Sequence, residues 1–170
     1  MQTDFGNDIE ECISVLRNGG IILYPTDTIW GIGCDATNEK AVERIFQLKN
    51  RPDQKALIVL VADEMDVLKH VANTDLRVFD YVKQSPRPVT VVYEGAIGLA
   101  DNLVGKDGSV AIRITDDTFC KHLIKRFRKP IVSTSANVSG EPPARYFSEI
   151  KDERGLVLKC KFHFMAVAPI

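Results

Sequence analysis

The segment from Ile131 to Gly140 most constrains the fold, because an apolar run ends there in a cluster of small polar side chains. Three serines, a threonine and an asparagine follow the apolar start, and the Pro142-Pro143 pair lies just beyond. A buried strand that delivers hydroxyls and an amide to its carboxyl end has the layout of a pocket rim in an open α/β sheet. A helix cap or a turn built from serine and asparagine is the alternative.

Length and composition indicate one soluble domain. The 170 residues are enough for a single core, and we expect residues 1–170 to form one domain. The 45% hydrophobic and 26% charged fractions are typical of globular proteins, and a net charge of -1 gives no overall basic signal for nucleic acid. The start of the chain lacks a signal pattern and no apolar run reaches membrane-spanning length. The sequence therefore predicts a cytoplasmic protein without membrane contact.

The cysteines and histidines do not form a metal-binding pattern. The four cysteines are far apart, with no C-x-x-C pair and no histidine at ligand spacing, and this predicts buried free thiols in a reducing compartment. They are Cys12, Cys34, Cys120 and Cys160. No metal site is expected.

Helical and extended patterns alternate along the chain. Helices are predicted over residues 8–18 and 39–49, around 67–71 and 76–82, and from 116 onwards, with one helical turn near 99–103. Strands are predicted over residues 21–24, 29–34, 56–62, 89–93, 109–114, from 131, and over about 156–164.

Two glycines raise the question of a dinucleotide site. Gly31 and Gly33 match the pattern G-x-G-x-x-A, and a helix follows. That fingerprint needs its glycines in the first turn after a strand, whereas these lie inside an apolar run that looks extended. We therefore favour glycines that let a strand bend or approach a ligand closely, with a nicotinamide enzyme as a weaker hypothesis.

A cationic segment follows the second predicted helix. Lys49, Arg51 and Lys55 lie within seven residues, beside a proline that favours extended backbone. The arginine can donate two parallel hydrogen bonds to a phosphate or a carboxylate, and the lysines add point charges. Favourable charge at a helix C-terminus, on a solvated surface, is the alternative.

Other cations allow two interpretations each. Arg113 is the one charged residue in the apolar run 109–114, which indicates either a ligand for a carboxylate or an edge-strand arginine that points to solvent. The cations of residues 121–129 lie on one face of a predicted helix. Such a face is usually solvated, although it could also contact RNA phosphates.

Three segments together resemble one family. They are Tyr24-Pro25-Thr26-Asp27-Thr28 with Gly31, Lys49-x-Arg51-Pro52, and Ser133-Thr134-Ser135-Ala136-Asn137-x-Ser139-Gly140. Their joint occurrence resembles the YrdC-like family of threonylcarbamoyl-AMP synthases, whose marker is a K-x-R followed much later by S-x-N. The resemblance covers about residues 19 to 144. It implies an α/β fold, a twisted open mixed sheet flanked by helices with a large concave cavity.

The resemblance also implies a reaction and its participants. The family joins L-threonine, bicarbonate and ATP into threonylcarbamoyl-adenylate and releases pyrophosphate. A partner transferase then passes the threonylcarbamoyl group to tRNA. Magnesium on the ATP phosphates is expected from their charge. The reaction needs positioning and fixed positive charge more than a strong nucleophile, so no covalent nucleophile is assigned.

The site residues are carried over position by position. Thr28, Arg113 and Ser133 are expected to bind threonine, with the arginine on its carboxylate. Lys49 and Arg51 are expected to hold ATP phosphates and to place the carbamate, which makes them the catalytic pair. The further nucleotide contacts are Lys55, Ser109, Ser135 and Asn137.

Two departures from the family pattern follow from the same comparison. Leu60 stands where the family often has a histidine, so one threonine contact is expected to differ. Residues 150–170 do not match the family's later strand and basic loop, so we expect this tail to be atypical or truncated. We expect the affinity for ATP, or the activity itself, to depend on this tail. A non-catalytic module of the same fold that binds tRNA or double-stranded RNA is the alternative function.

Overall fold

The computed structural model describes residues 5–26, 29–49, 57–137 and 150, and the backbone of 157–159. In these ranges a seven-stranded sheet carries five α-helices. The strands are β1 (Ile21–Tyr24), β2 (Gly31–Gly33), β3 (Ile58–Val61), β4 (Val91–Glu94), β5 (Ser109–Ile114), β6 (Ile131–Ser135) and β7 (Val157–Lys159). The helices are α1 (Gly6–Arg17), α2 (Glu39–Lys49), α3 (Glu64–His70), α4 (Arg77–Gln84) and α5 (Thr118–Phe127), with a 3-10 turn at Asp101–Leu103.

The sheet is open and mixed. Its strand order is β4-β5-β3-β6-β2-β1-β7. β3 runs parallel to β5 and β1 runs parallel to β7, whereas the other neighbours are antiparallel. This topology, with helices on both faces, confirms the α/β class expected from the sequence. The large concave cavity remains a prediction.

One face of the sheet is covered by helices α2 and α4. Val42 and Ile45 of α2 pack with Phe79 of α4 in one apolar cluster. The sheet contributes alternate residues to this cluster, among them Val59 and Ile112, because successive side chains of a strand point to opposite faces.

The opposite face is covered only in part. Ile13 and Leu16 of α1 and Leu123 of α5 pack there against Leu60 and Ile131 from the middle of the sheet. Helix α5 begins at the acidic N-cap that the sequence predicts, since the Asp117 carboxylate accepts a hydrogen bond from the Cys120 backbone N–H at 2.8 Å. These two helices leave the β4–β5 end of this face open, where Val92 is exposed.

The predicted boundaries differ from the structure at four strands. The strands predicted over 29–34 and 56–62 correspond to Gly31–Gly33 and Ile58–Val61. The strand predicted over 89–93 begins at Val91, because its ladder with β5 starts with the pair between Val91 and Ile112. The strand predicted over 156–164 appears as the backbone of β7, which pairs with β1. The remaining residues of that prediction lie outside the described ranges.

The thiols behave as the composition predicts. Cys12, Cys34 and Cys120 are buried thiols. Burial, helped by the Asp35 carboxylate, raises the pKa of the Cys34 thiol. Cys160 lies outside the described residues. In the described part of the chain, no helix has the length and apolar character needed to cross a membrane.

Candidate functional site

The half of the sheet face that α1 and α5 leave open carries several of the predicted site residues. Ile58 of β3 pairs with Ala111 on one side and with Ser133 on the other, so these three residues share a face. Val92, which pairs with Ala111, belongs to the same row and is 67% exposed. An apolar side chain this exposed at the centre of β4 shows that no described helix covers the β4–β5 end of the face.

Arg113 lies on this open face, one row away from Ser133. Its neighbour in the ladder is Leu60, and Leu60 in turn pairs with Ile131. Arg113 is half-buried, and its Nε donates to the Thr90 hydroxyl oxygen at 2.9 Å. None of the ion pairs between described residues involves it. β5 is an interior strand, so the interpretation of Arg113 as an edge-strand residue is wrong.

The two residues that are expected to bind threonine lie on the same face of the sheet but not on neighbouring strands. Arg113 and Ser133 lie on β5 and β6, the two strands that flank β3. Neighbouring strands are about 4.8 Å apart, so these backbones are about 10 Å apart. The Arg113 Nε–H is bonded to Thr90, which lies on the other side of β5 from β3. The two side chains share one face of the sheet, and their joint contact with threonine stays a prediction.

Lys49 connects the end of α2 to the end of β6. The side chain is 4% exposed, and its ammonium donates to the Ser135 carbonyl oxygen at 2.8 Å. It also donates to the backbone carbonyl oxygen of Asn137 and contacts the Asn137 side-chain oxygen at 3.4 Å. Because Lys49 is buried, its interpretation as a solvated surface cation is wrong. The structure thus brings together three of the predicted nucleotide residues.

Thr26 organises the turn that follows β1. Its hydroxyl donates to the Ile29 carbonyl oxygen at 2.6 Å and accepts from the Ile29 N–H at 3.2 Å. These two hydrogen bonds tie together the residues that flank positions 27 and 28. Three predicted site residues, Thr28, Arg51 and Lys55, lie outside the described ranges.

Ser109 begins β5 at the same end of the sheet as the end of β6. Its hydroxyl donates to the Asp107 carboxylate at 2.6 Å, and its backbone N–H donates to the same oxygen at 3.0 Å. These hydrogen bonds lower the pKa of Asp107. In this structure the Ser109 hydroxyl donates to a residue of the turn before β5, and its role as a nucleotide contact stays a prediction.

The two glycines of the G-x-G pattern form a strand. Both lie in β2, where a Cβ on Gly33 would be 2.2 Å from the Val132 carbonyl oxygen and 2.9 Å from Cε1 of Tyr24. A Cβ on Gly31 would be 3.1 Å from the Thr26 methyl group. The glycines therefore allow close packing between strands and under an aromatic ring, and they do not form the phosphate-binding first turn of a dinucleotide site.

The cationic face of α5 is largely paired within the described residues. Lys121 lies 3.1 Å from Asp116, Lys125 lies 3.8 Å from Asp63, and Lys129 lies 2.7 Å from Asp35. Arg126 pairs with Glu10. These carboxylates offset much of the positive charge that RNA phosphates would contact, so the pairs favour the solvated-face interpretation.

A separate cleft of about 510 Å³ opens where the parallel strands β3 and β5 end. Ala62, Phe79 and Ile114 are among its lining residues, and none of the predicted site residues belongs to it. The Lys83–Glu64 pair at 2.7 Å joins two residues of its rim. Across the described ranges, no three histidine, cysteine, aspartate or glutamate side chains are placed to share a metal ion.

Sequence reasoning did not assign roles to Thr26 or Thr90. The position of Thr26 in the Tyr24–Thr28 motif was a signal, because small polar residues after a strand often close turns through their hydroxyls. The pairing of Thr90 with Arg113 spans 23 residues and depends on strand register, which no local pattern reveals.

Comparison with known proteins identifies the family. The Sua5/YciO/YrdC family, described as "Telomere recombination", matches residues 14–163. The chain is also 35% identical over 154 residues to the threonylcarbamoyl-AMP synthase of Photobacterium profundum, which covers 88% of this chain and 82% of that protein. The chain belongs to the Sua5/YciO/YrdC family. The match confirms the resemblance inferred from the three motifs, and it extends beyond residue 144.

Solved structures of Sua5/YciO/YrdC proteins share the fold. Sua5 of P. abyssi, in a complex with L-threonine, superposes with a TM-score of 0.77 at 28% identity over 84% of this chain. This chain corresponds to 42% of the length of that Sua5 chain. E. coli YciO gives a TM-score of 0.76 at 25% identity, with 89% of this chain and 75% of that chain covered.

Proposed function

We propose that this protein is a threonylcarbamoyl-AMP synthase that makes threonylcarbamoyl-adenylate from L-threonine, bicarbonate and ATP. The amine of threonine condenses with bicarbonate to a carbamate and water. A carbamate oxygen then attacks the α-phosphorus of ATP, the bond from that phosphorus to the β-phosphate bridging oxygen breaks, and pyrophosphate leaves. The family relationship supports this reaction, and the 35% identical relative from Photobacterium profundum is named for the same activity.

The observation that carries the proposal is the burial of Arg113 together with the kind of side chain that it contacts. The residue is half-buried on the open sheet face, and its guanidinium has a hydroxyl, not a carboxylate, as its side-chain partner among the described residues. A partly desolvated cation in this setting is stabilised by an anionic ligand. We assign that place to the carboxylate of threonine, with Ser133 on the far side of the same ligand.

Lys49 and its partners occupy the nucleotide side in this proposal. Its ammonium places fixed positive charge at the end of β6, close to Ser135 and Asn137. Negative charge that develops on the phosphates would be stabilised there, with Arg51, Lys55 and Ser109 as the further nucleotide contacts. Thr28 would contact the substrate threonine. The described residues do not fit a protein-held magnesium site, so magnesium would enter bound to the phosphates of ATP.

The product is an activated adenylate, which must pass to an acceptor. We propose that a transferase partner moves its threonylcarbamoyl group to tRNA in the cytoplasm. Direct binding of tRNA by this chain is the alternative, and the ion pairs of α5 weigh against that helix as the contact surface.

The decisive experiment measures pyrophosphate release by the purified chain. Release should require threonine, bicarbonate and ATP together, with magnesium present throughout. Arg113→Gln should lower kcat/KM for threonine by about a hundredfold, because it removes a charge-assisted carboxylate contact. Arg87→Gln, at an exposed arginine of the turn before β4, is the matched control and should change it less than twofold. Release without threonine would exclude this function.

The contribution of residues 150–170 is tested in the same assay. The family match reaches residue 163, and β7 pairs with β1 inside this segment. We propose that the segment supports the nucleotide side of the site. Removal of residues 160–170 should then raise the KM for ATP and leave threonine binding unchanged. Equal ATP kinetics in the full and shortened chains would exclude that role.

A further inference from the structure

We propose that Thr90 is a positioning residue for the substrate carboxylate, acting through Arg113. The inference rests on the proposed function, because it names how the same site holds threonine. Thr90 lies just before β4, and its hydroxyl oxygen accepts a hydrogen bond from Arg113 Nε at 2.9 Å. No sequence motif connects the two residues, which are 23 positions apart.

The strand register explains why these side chains meet. The antiparallel ladder between β4 and β5 pairs Val91 with Ile112 and Val92 with Ala111. The next pair of positions in this register is Thr90 with Arg113. Both residues therefore lie on the open face, on the same side of the sheet as Val92. Thr90 is half-buried, so its hydroxyl is partly shielded from competing water.

The single hydrogen bond at Nε decides which edge of the guanidinium remains for a ligand. An arginine side chain has five N–H groups, one on Nε and four on the two Nη atoms. A carboxylate can bind side-on to Nε and one Nη, or end-on across both Nη atoms. Thr90 occupies the Nε–H, which removes the side-on mode. We infer that the threonine carboxylate binds end-on across the two Nη atoms of Arg113.

A hydroxyl suits this purpose better than a carboxylate would. Elsewhere in the described structure, Arg77 pairs with Asp75 at 2.6 Å and Lys129 pairs with Asp35 at 2.7 Å. Such a partner would offset the charge of Arg113 and compete with the substrate. Thr90 restricts the rotamers of the long arginine side chain without neutralising it, so less rotamer freedom is lost when the ligand binds.

The test compares Thr90→Val, which keeps the shape but removes the hydroxyl, with Thr90→Ser, which keeps the hydroxyl. Thr90→Val should raise the KM and the Kd for threonine by up to about tenfold, because the released Arg113 side chain must then lose its rotamer freedom when the ligand binds. The KM for ATP and kcat at saturating threonine should change less than twofold. Thr90→Ser should restore threonine binding to within about twofold of the natural protein.

Two further variants separate positioning from a general structural role. Thr74→Val removes a buried hydroxyl that has no partner among the described residues, and it should leave both KM values unchanged. In an Arg113→Gln background, Thr90→Val should have no further effect on kcat/KM for threonine, since the two side chains act as one unit. If Thr90→Val does not fold, as judged by circular dichroism, Thr90→Ala replaces it in the same comparison.

Several results would overturn the inference. An equal rise in the KM values for threonine and ATP would indicate a structural role, and an undiminished effect in the Arg113→Gln background would show that Thr90 acts independently. Calorimetry with L-threonine separates this proposal from the function itself, because it does not need turnover. Threonine binding that weakens in Thr90→Val, in a protein that releases no pyrophosphate, would support the positioning role and contradict the synthase. No binding of threonine to the natural protein would exclude both.

Discussion

The ammonium of Lys49 lies 2.8 Å from the carbonyl oxygen of Ser135, and this contact joins the last residue of α2 to the last residue of β6. The two residues are 86 positions apart in the chain. The same ammonium donates to the Asn137 carbonyl oxygen. The lysine therefore has a structural role at the end of β6, in addition to the phosphate contact proposed for it.

Replacing this lysine should destabilise the protein and disturb the site. Lys49→Met removes a buried charge together with its hydrogen bonds to two backbone carbonyl groups. We expect a loss of about 2 kcal/mol in the free energy of unfolding, measured by urea titration. Lys40→Met, at an exposed position of the same helix, should cost less than about 0.5 kcal/mol. Equal unfolding midpoints for the two variants would contradict the structural role.

The glycines of β2 should differ in their tolerance of a methyl group. In Gly33→Ala the new Cβ would lie 2.2 Å from a backbone oxygen, which cannot move without shifting β6. We expect a loss of at least about 3 kcal/mol, or failure to fold. In Gly31→Ala the nearest atom is the Thr26 methyl group at 3.1 Å, and the expected loss is about 1 kcal/mol. Thermal unfolding of both variants measures the difference, and a reversed order would refute the packing argument.

Local patterns in the sequence were sufficient for the class of fold. The apolar runs at residues 21–24 and 109–114 became β1 and β5, with the predicted boundaries in both cases. The helical spacing of apolar residues predicted α1 and α2 for the same reason, since burial of one side of an element imposes its period on the sequence. The motifs that resembled the family were also local, and the family match confirms them.

The partners of the site residues could not be predicted in this way. The Thr90–Arg113 contact depends on the register between two strands, and the burial of Lys49 depends on how α2 meets β6. Both are consequences of tertiary packing across many intervening residues. The S-x-N motif is a further example. The sequence suggested side-chain chemistry for Ser135, whereas in the structure its backbone carbonyl makes the contact with Lys49.

The Asp75–Arg77 pair should make stability depend on acid pH. Hydrogen bonds from the Arg77 side chain, then from its backbone N–H, lower the pKa of the Asp75 carboxyl from 3.8 to about 2. A pKa that is lower in the folded state contributes stability above the unfolded value, and this contribution is lost as the pH falls from about 4 to about 2. Asp75→Asn should therefore lower the melting temperature at pH 6 and lose that effect near pH 2.

The control for this pair is another exposed carboxylate. Asp101→Asn removes one negative charge from a residue that makes no ion pair with the described part of the chain. It should not reproduce the pH-dependent difference in melting temperature. A difference between the natural protein and Asp75→Asn that stays constant from pH 6 to pH 2 would show that the ion pair contributes nothing. The expected effect is small, because the pair is exposed to solvent.

The last prediction concerns a buried carboxylate below the amino end of β6. Asp35 is 4% exposed and accepts hydrogen bonds from the Thr37 N–H at 2.8 Å, from the Thr37 hydroxyl at 2.6 Å and from the Lys129 ammonium at 2.7 Å. The lysine side chain is 48% exposed, so it can reach water if the carboxylate is removed. Loss of the lysine would therefore leave a buried carboxylate without its cation, whereas loss of the carboxylate would leave a lysine that water can solvate.

Substitution of the exposed partner should cost more than neutralisation of the buried one. Lys129→Met leaves the Asp35 carboxylate buried without a cation, and we expect a loss of about 2 kcal/mol in the free energy of unfolding. Asp35→Asn keeps an oxygen acceptor for Thr37 and releases the lysine to solvent, so the expected loss is about 1 kcal/mol. The double variant should be more stable than Lys129→Met alone, because it no longer buries an unpaired charge. Urea titrations at pH 7 measure all three, and a double variant that is less stable than either single one would contradict this account of the pair.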